Sequence, residues 1–446
     1  MKKYALLLAA ATIAFVFSSC KSLDPVPVAP AEDVEAIADE VQEQTEDVRP
    51  PVAEPLQVLP GKHVVSESYN LTQGLTAFSL AFFDVLKDEH QEQNLAFSPL
   101  SLNMALAAIY SGAAGETRKE MASLLGFDKD AKAFNAAYPA YFSALMELTA
   151  DTLAEVNLAN RVFLEESYPV LDSFIQDITA LHGGAFEKLD FIRQPRQAES
   201  RINHWVEEMT RGRIQDLIPS GTFNELTRLV LTNAVYVKSS WRFPFEEQAT
   251  MEKEFTTVNG EKKDRDFMIQ TQKGIMYAEL EGNTIIELPY TSPNLSMLLI
   301  LPGDENLAHP APGIPNATEY FQMLAALRAE EVHMEIPKFT LNSEFSLSEN
   351  LKEMGMQEAF DNRADFSGIS GRTDLEISDV LQKVFFEIDE EGSEAAAATA
   401  IVVVTTSFDP NMELKQPKMF IANRPFLFIL KENFYDTPLF IGQYVK

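Results

Sequence analysis

An α+β fold is predicted by three features of this 446-residue sequence. Apolar residues recur at helical spacing in the first half of the chain. Apolar runs of strand length dominate from residue 230 onward, and the chain closes on two apolar segments that read as a buried hairpin. With 46% hydrophobic and 23% charged residues, the composition is that of a soluble globular protein. A net charge of −31 argues against nucleic acid or heparin-like polyanions as partners.

The N-terminus reads as an export signal. Lys2 and Lys3 precede an apolar run from Tyr4 to Phe17, and Ser18-Ser19-Cys20 follows. The run is too short to cross a bilayer as a helix. Ending on small residues and a cysteine, it resembles a bacterial lipoprotein signal, with Phe17 where an aliphatic residue is usual. That resemblance implies removal of residues 1–19 and lipidation of Cys20, with the protein anchored to the outer membrane of a bacterial cell envelope and exposed at the cell surface. Cys20 is the sole cysteine, so no internal disulfide can form. Residues 20–65 read as an acidic, Pro-rich tether: between 21 and 60, ten acidic residues face only Lys21 and Arg49, among seven prolines. Such a segment cannot bury enough apolar surface to fold. Its mean reach is roughly 35 Å, taking ~5–6 Å times the square root of length.

The remaining 66–446, about 380 residues, are long for one core and more usual for two domains. Leu71, Leu75, Phe78, Phe82 and Val85 mark the apolar face of a helix. Asn94 to Leu102 leads into a nearly all-apolar helix reaching Ile109, which must be buried, with Ser98 as its cap and Pro99 in its first turn. Asp128 to Thr149 and Ile202 to Thr210 are further helices. Val230 to Val237 is a clear strand, followed by Trp241 and Phe243-Pro244-Phe245. Ile285 to Leu288, Leu295 to Leu301, Val332 to Phe339 and Leu375 to Ile388 are strands, and Asn423 to Leu430 with Leu439 to Gly442 form the closing hairpin.

One stretch resists local rules. Glu390-Glu391-Gly392-Ser393-Glu394 is followed by Ala395, Ala396, Ala397 and Ala398, all strong helix formers. Ile401 to Thr406 is then strongly strand-prone, and Phe408 to Asn411 reads as a turn. Local rules read a helix end running into a buried strand. As a strand, however, the segment would point Ser393, Ala395, Ala397, Thr399, Ile401 and Val403 to one side, all uncharged, with Glu394 on the other.

This stretch resembles the hinge of the reactive-centre loop of serpins. In that family a protease cleaves the exposed loop, whose N-terminal part then inserts as a new strand in the main sheet. The segments around Ser98, Ile202, Asn233, Leu295, Asn423 and Leu439 resemble the family as well, so the likeness runs from about residue 71 to 446. It implies the serpin fold as one domain over 66–446, with mixed β-sheets, surrounding helices and an exposed reactive-centre loop, a shutter containing Ser98, Asn233 and Gln382, and a breach containing Trp241 and Lys338, the lysine paired with Glu390. Gln382 stands where the family usually has a histidine bonded to the shutter asparagine; an amide can donate and accept but does not titrate near neutral pH. Family spacing puts the reactive bond between Thr406 and Ser407. The helix at 128–149 carries only Lys129 and Lys132 where glycosaminoglycan-activated members have a basic cluster, so no heparin activation is expected.

The function implied is irreversible, suicide-substrate inhibition of serine proteases by a monomer. Val402 to Thr406 are uncharged and β-branched, which suits the shallow pocket of an elastase-like protease and leaves a trypsin-like pocket unpaired. The alternatives are a non-inhibitory serpin-fold binding or chaperone lipoprotein, or a nutrient-binding lipoprotein. Catalysis has no sequence support. The six histidines are scattered, and no nucleophile elbow, zinc-protease motif, Walker loop, dinucleotide turn or metal-ligand spacing occurs, so no cofactor and no metal are expected. The lipid anchor makes a direct prediction. Cys20→Ser should move the protein from the membrane fraction to the soluble one with its folding unchanged; retention in the membrane fraction would overturn the lipoprotein reading.

Overall fold

The computed structural model describes residues 66–127, 130–149, 152–182, 186–303, 313–393 and 416–446. Two sheets organise them. The larger has the strand order β1-β15-β14-β8-β7-β6-β9-β13, with β5 paired to β6. Its strands are β1 (Leu95–Phe97), β5 (Met251–Thr256), β6 (Lys262–Leu280), β7 (Asn283–Pro289), β8 (Leu295–Pro302), β9 (Arg328–Pro337), β13 (Lys418–Ile421), β14 (Phe426–Glu432) and β15 (Pro438–Tyr444). The smaller runs β10-β11-β4-β2-β3, with β12 added on β4. It comprises β2 (Ala154–Glu165), β3 (Phe186–Leu189), β4 (Leu229–Ser240), β10 (Phe339–Ser346), β11 (Asp379–Ile388) and the two-residue β12 (Gly392–Ser393). Helices pack around both sheets, giving the α+β architecture expected.

Helix α1 (Ser66–Glu89) contains the apolar face read from the sequence, and Leu75, Phe78 and Phe82 are buried. Helix α2 (Pro99–Tyr110) is buried along almost its whole circumference. Ser98 caps it, its hydroxyl accepting from Ser101 N, and Pro99 holds the first helical position. Helix α3 (Gly115–Leu125) follows. Helix α4 (Ala131–Thr149) starts three residues later than Asp128, and Pro139 lies inside it. Helices α5 (Asp172–His182) and α6 (Pro195–Met209) come next, and Trp205 of α6 meets Phe163 of β2 edge-on at 5.7 Å.

The closing hairpin is buried as predicted, β14 and β15 having no exposed residue. Close packing demands a glycine in it: a Cβ on Gly442 would lie 2.0 Å from the ring of Phe428. The reading of Val332 to Phe339 as one strand needs correction. The chain leaves the larger sheet at Pro337 and enters the smaller at Phe339, so Lys338 stands at the crossing point. β2, β5 and the long β6 had not been read from the sequence, and the last strand before the hinge begins at Asp379 rather than Leu375.

Candidate functional site

The site lies where two strands part. β11 runs parallel to β4 from Asp379↔Val230 to Val384↔Val235, and there their ladder ends. β11 stays paired to β10 as far as Ile388, opposite Phe339. The chain then turns back, and β12 takes up the edge of β4 antiparallel, Gly392 opposite Ser240 and Ser393 opposite Ser239. Asp389 builds that turn: its carboxylate accepts from Glu391 N at 2.9 Å and Gly392 N at 3.0 Å, and its own N–H donates to Gly392 O at 3.0 Å. Only glycine fits at 392, since a Cβ would lie 2.2 Å from the carbonyl oxygen of Ser239.

Aromatic and ionic contacts hold the turn. Trp241 continues β4, is almost fully buried, and stacks on Tyr290 with ring centroids 4.5 Å apart. Its indole N–H donates to Asp389 O at 2.9 Å and its backbone N–H to Glu391 O at 2.7 Å. The Tyr290 and Ser393 hydroxyls share a buried hydrogen bond of 2.6 Å. Burial holds the Tyr290 phenol above its ordinary pKa, so it is neutral there. Phe245 N donates to Glu390 O at 2.8 Å. The Glu390 carboxylate accepts from Thr250 Oγ1 at 2.6 Å and lies 3.2 Å from Lys338 Nζ. Burial pushes its pKa up, but the Thr250 hydrogen bond and the Lys338 ammonium outweigh that and hold it below the ordinary carboxylate value.

About half a sheet away, Asn233 and Gln382 face each other in register. Their amides do not join in the way the family likeness implies. Gln382 turns instead to Ser98: its Oε1 accepts from Ser98 N at 3.0 Å and its Nε2 donates to Ser98 O at 2.9 Å. An amide's fork of acceptor and donor fits one residue's N–H and C=O. Asn233 donates to Leu381 O at 3.4 Å, and its Oδ1 shares the Ser101 hydroxyl with Asn160. Ser98 Oγ donates to Leu439 O at 2.8 Å, linking this cluster to β15.

The structure therefore brings Trp241, Lys338, Glu390, Glu391, Gly392 and Ser393 together in one cluster, and Ser98, Asn233 and Gln382 in another. Glu394, Ala395, Ala396, Ala397, Ala398, Thr406, Ser407 and Cys20 lie outside the described residues. The sequence reading missed Tyr290, Thr250, Asp389, Ser101 and Asn160. Asp389 alone carried a local signal, an Asp three residues before Gly392.

Over residues 73–446 the sequence matches the family model described as Serpin (serine protease inhibitor). The leukocyte elastase inhibitor of Xenopus tropicalis is 32% identical over 383 residues, spanning 84% of this chain and 99% of that protein. Among solved structures, uncleaved ovalbumin matches with a TM-score of 0.74 at 26% identity, over 84% of this chain and 99% of that one. Serpin48 of the insect Tenebrio molitor matches with a TM-score of 0.72 at 28% identity, over 86% and 100%.

Two predictions follow from this geometry. Gln382→Leu orphans the buried N–H of Ser98, and should cost about 1–3 kcal/mol of unfolding free energy; an unchanged denaturant midpoint would remove Gln382 from the cluster's support. Glu390 has a depressed folded-state pKa, so its contribution is present above the ordinary carboxylate value and is lost as pH falls through the depressed one. In a Trp205→Phe background, Trp241 emission should therefore shift on acidification. Glu390→Gln should abolish that transition, and an identical acid transition in the variant would show that another group controls the hinge.

Proposed function

The chain belongs to the serpin family, and from that premise we propose that it is an irreversible, suicide-substrate inhibitor of serine proteases, with elastase-like enzymes as its targets. The observation that carries this reading is the position of Gly392 and Ser393 on the edge of β4, in the opening where β11 leaves it. Continued in the same register, insertion would set Glu394 opposite Lys238 and Ala395 opposite Val237. The small inward side chains from Ser393 to Thr399 would pass between the parted strands without burying a charge. The protease would attack the carbonyl of the bait residue, release the new amine and remain bound as an acyl-enzyme. Insertion would outrun hydrolysis and carry the acyl-enzyme across the molecule. From Ser393 to Thr406 the extended reach is roughly 45 Å, at ~3.3 Å per residue.

Elastase-like specificity is supported by the uncharged, β-branched candidates from Val402 to Thr406 and by the likeness to the amphibian leukocyte elastase inhibitor. The lipid anchor at Cys20 and the acidic tether would present this activity at a bacterial cell surface, with the domain held clear of the membrane.

The test is a panel of elastase-, chymotrypsin- and trypsin-like proteases. Elastase-like enzymes should form complexes that survive denaturing electrophoresis, and mass spectrometry of the released C-terminal peptide should place the cut within 402–407. Ser393→Arg would have to bury an unpaired guanidinium, so it should still be cleaved but form no complex. Complex formation by Ser393→Arg at wild-type stoichiometry would overturn the insertion mechanism. Fast inhibition of trypsin would overturn the specificity.

A further inference from the structure

A cavity of about 320 Å³ opens beside the hinge clamp, lined by Arg242, Tyr290, Thr291, Ser292, Leu295 and Asn433 together with Pro289 and Pro293. It forms where β4 runs out toward the β7–β8 turn. Arg242 N donates to Pro289 O at 2.9 Å and Thr291 N to Ser240 O at 2.8 Å, so backbone hydrogen bonds fix its rim. The volume is at the small end of ligand sites, which run from ~300 to 1,000 Å³. Its walls are divided in character. Pro289, Tyr290 and Leu295 are buried and form its apolar floor, and Pro293 stands exposed at the rim.

The polar lining is largely committed within the fold. Asn433 donates to Pro293 O at 3.0 Å, and its Oδ1 accepts from Ser296 at 2.6 Å and from Lys431 at 3.0 Å. Thr291 Oγ1 donates to Ser240 O at 3.2 Å. Arg242 is different. Its guanidinium lies 5.6 Å from the Phe243 ring and, among the described residues, meets no carboxylate. Arg242 is exposed, so its guanidinium stays free to meet an anion at the cavity mouth.

We propose that this cavity binds a small carboxylate bearing a flat apolar group. The carboxylate would be held by the Arg242 guanidinium, whose fork matches it in two-point geometry. The apolar group would lie against Tyr290 and the two prolines. Tyr290 also stacks on Trp241, so occupancy is reported by that indole.

The experiment uses the intact, uncleaved protein in a Trp205→Phe background, titrated with phenylacetate, phenylacetamide and phenethylamine. Phenylacetate should give a saturable change in Trp241 emission and saturation-transfer signals from its ring, and the amide and the amine should bind far more weakly. Arg242→Met should weaken phenylacetate about ten- to a hundredfold, the range for one charged hydrogen-bonding partner. Thr291→Phe, placed on an exposed residue at the rim, should block binding by filling the mouth. Thermal midpoints near wild type would show that both variants remain folded. Absence of saturable binding, equal affinity for the amine, or unchanged affinity in Arg242→Met would overturn the proposal.

Discussion

The rest of this structure depends on one unresolved competition for a strand edge. β4 is paired along one side to β2 from Leu229 to Ser239, but on the other side its partner changes partway along. β11 supplies the ladder as far as Val235, then follows β10 away, and β12 supplies it again at Ser239. Backbone N–H and C=O groups must be paired when buried, so a strand edge in a sheet interior is a standing demand for another strand. Among the described residues, the chain answers that demand with Gly392 and Ser393. Gly392 can approach because it has no Cβ, and Ser393 because its hydroxyl finds Tyr290 instead of an apolar wall.

The two clusters act on opposite ends of the same opening. At the breach, Trp241 and Asp389 fix where the chain turns, and the Glu390–Lys338 pair fixes its lateral position. An ion pair with one exposed partner is worth at most about 1 kcal/mol. Its importance is positional: Lys338 sits at the residue where the chain passes between sheets, and any movement of the hinge must release it. At the shutter, Gln382 ties β11 to the start of α2, and Ser98 ties that start to β15. Separation of β4 from β11 therefore meets resistance from a buried helix and from the larger sheet, through an amide whose hydrogen bonds do not change near neutral pH.

The parts legible in the sequence were those set by local pattern. The all-apolar run to Ile109 could only be a buried helix, and Ser98-Pro99 could only begin one. Long strands with mixed faces were harder, because β6 alternates between sheet partners over 19 residues and its exposure follows neither period cleanly. Lys431 and Glu432 look like solvated charges at a hairpin end. In the fold they are buried, Lys431 between Glu287 at 2.9 Å and Asp436 at 2.7 Å, while Glu432 accepts from Phe434, Tyr435 and Thr437 N. No local rule could reveal Glu287 as the partner of Lys431, more than a hundred residues away, and the same holds for Tyr290 with Ser393 and for Thr250 with Glu390.

The magnitudes separate what holds the hinge from what drives it. Each hinge contact is a single hydrogen bond or a half-exposed ion pair, of about 0.5–1.5 kcal/mol. Inserting a strand gains ladder hydrogen bonds of the same size at successive residues and buries aliphatic side chains at about 1.5–3 kcal/mol each. The gain grows with every residue added, whereas the restraint is confined to the few residues around Asp389. In the proposed insertion, the restraint would therefore set when the loop moves but not whether the longer strand is preferred.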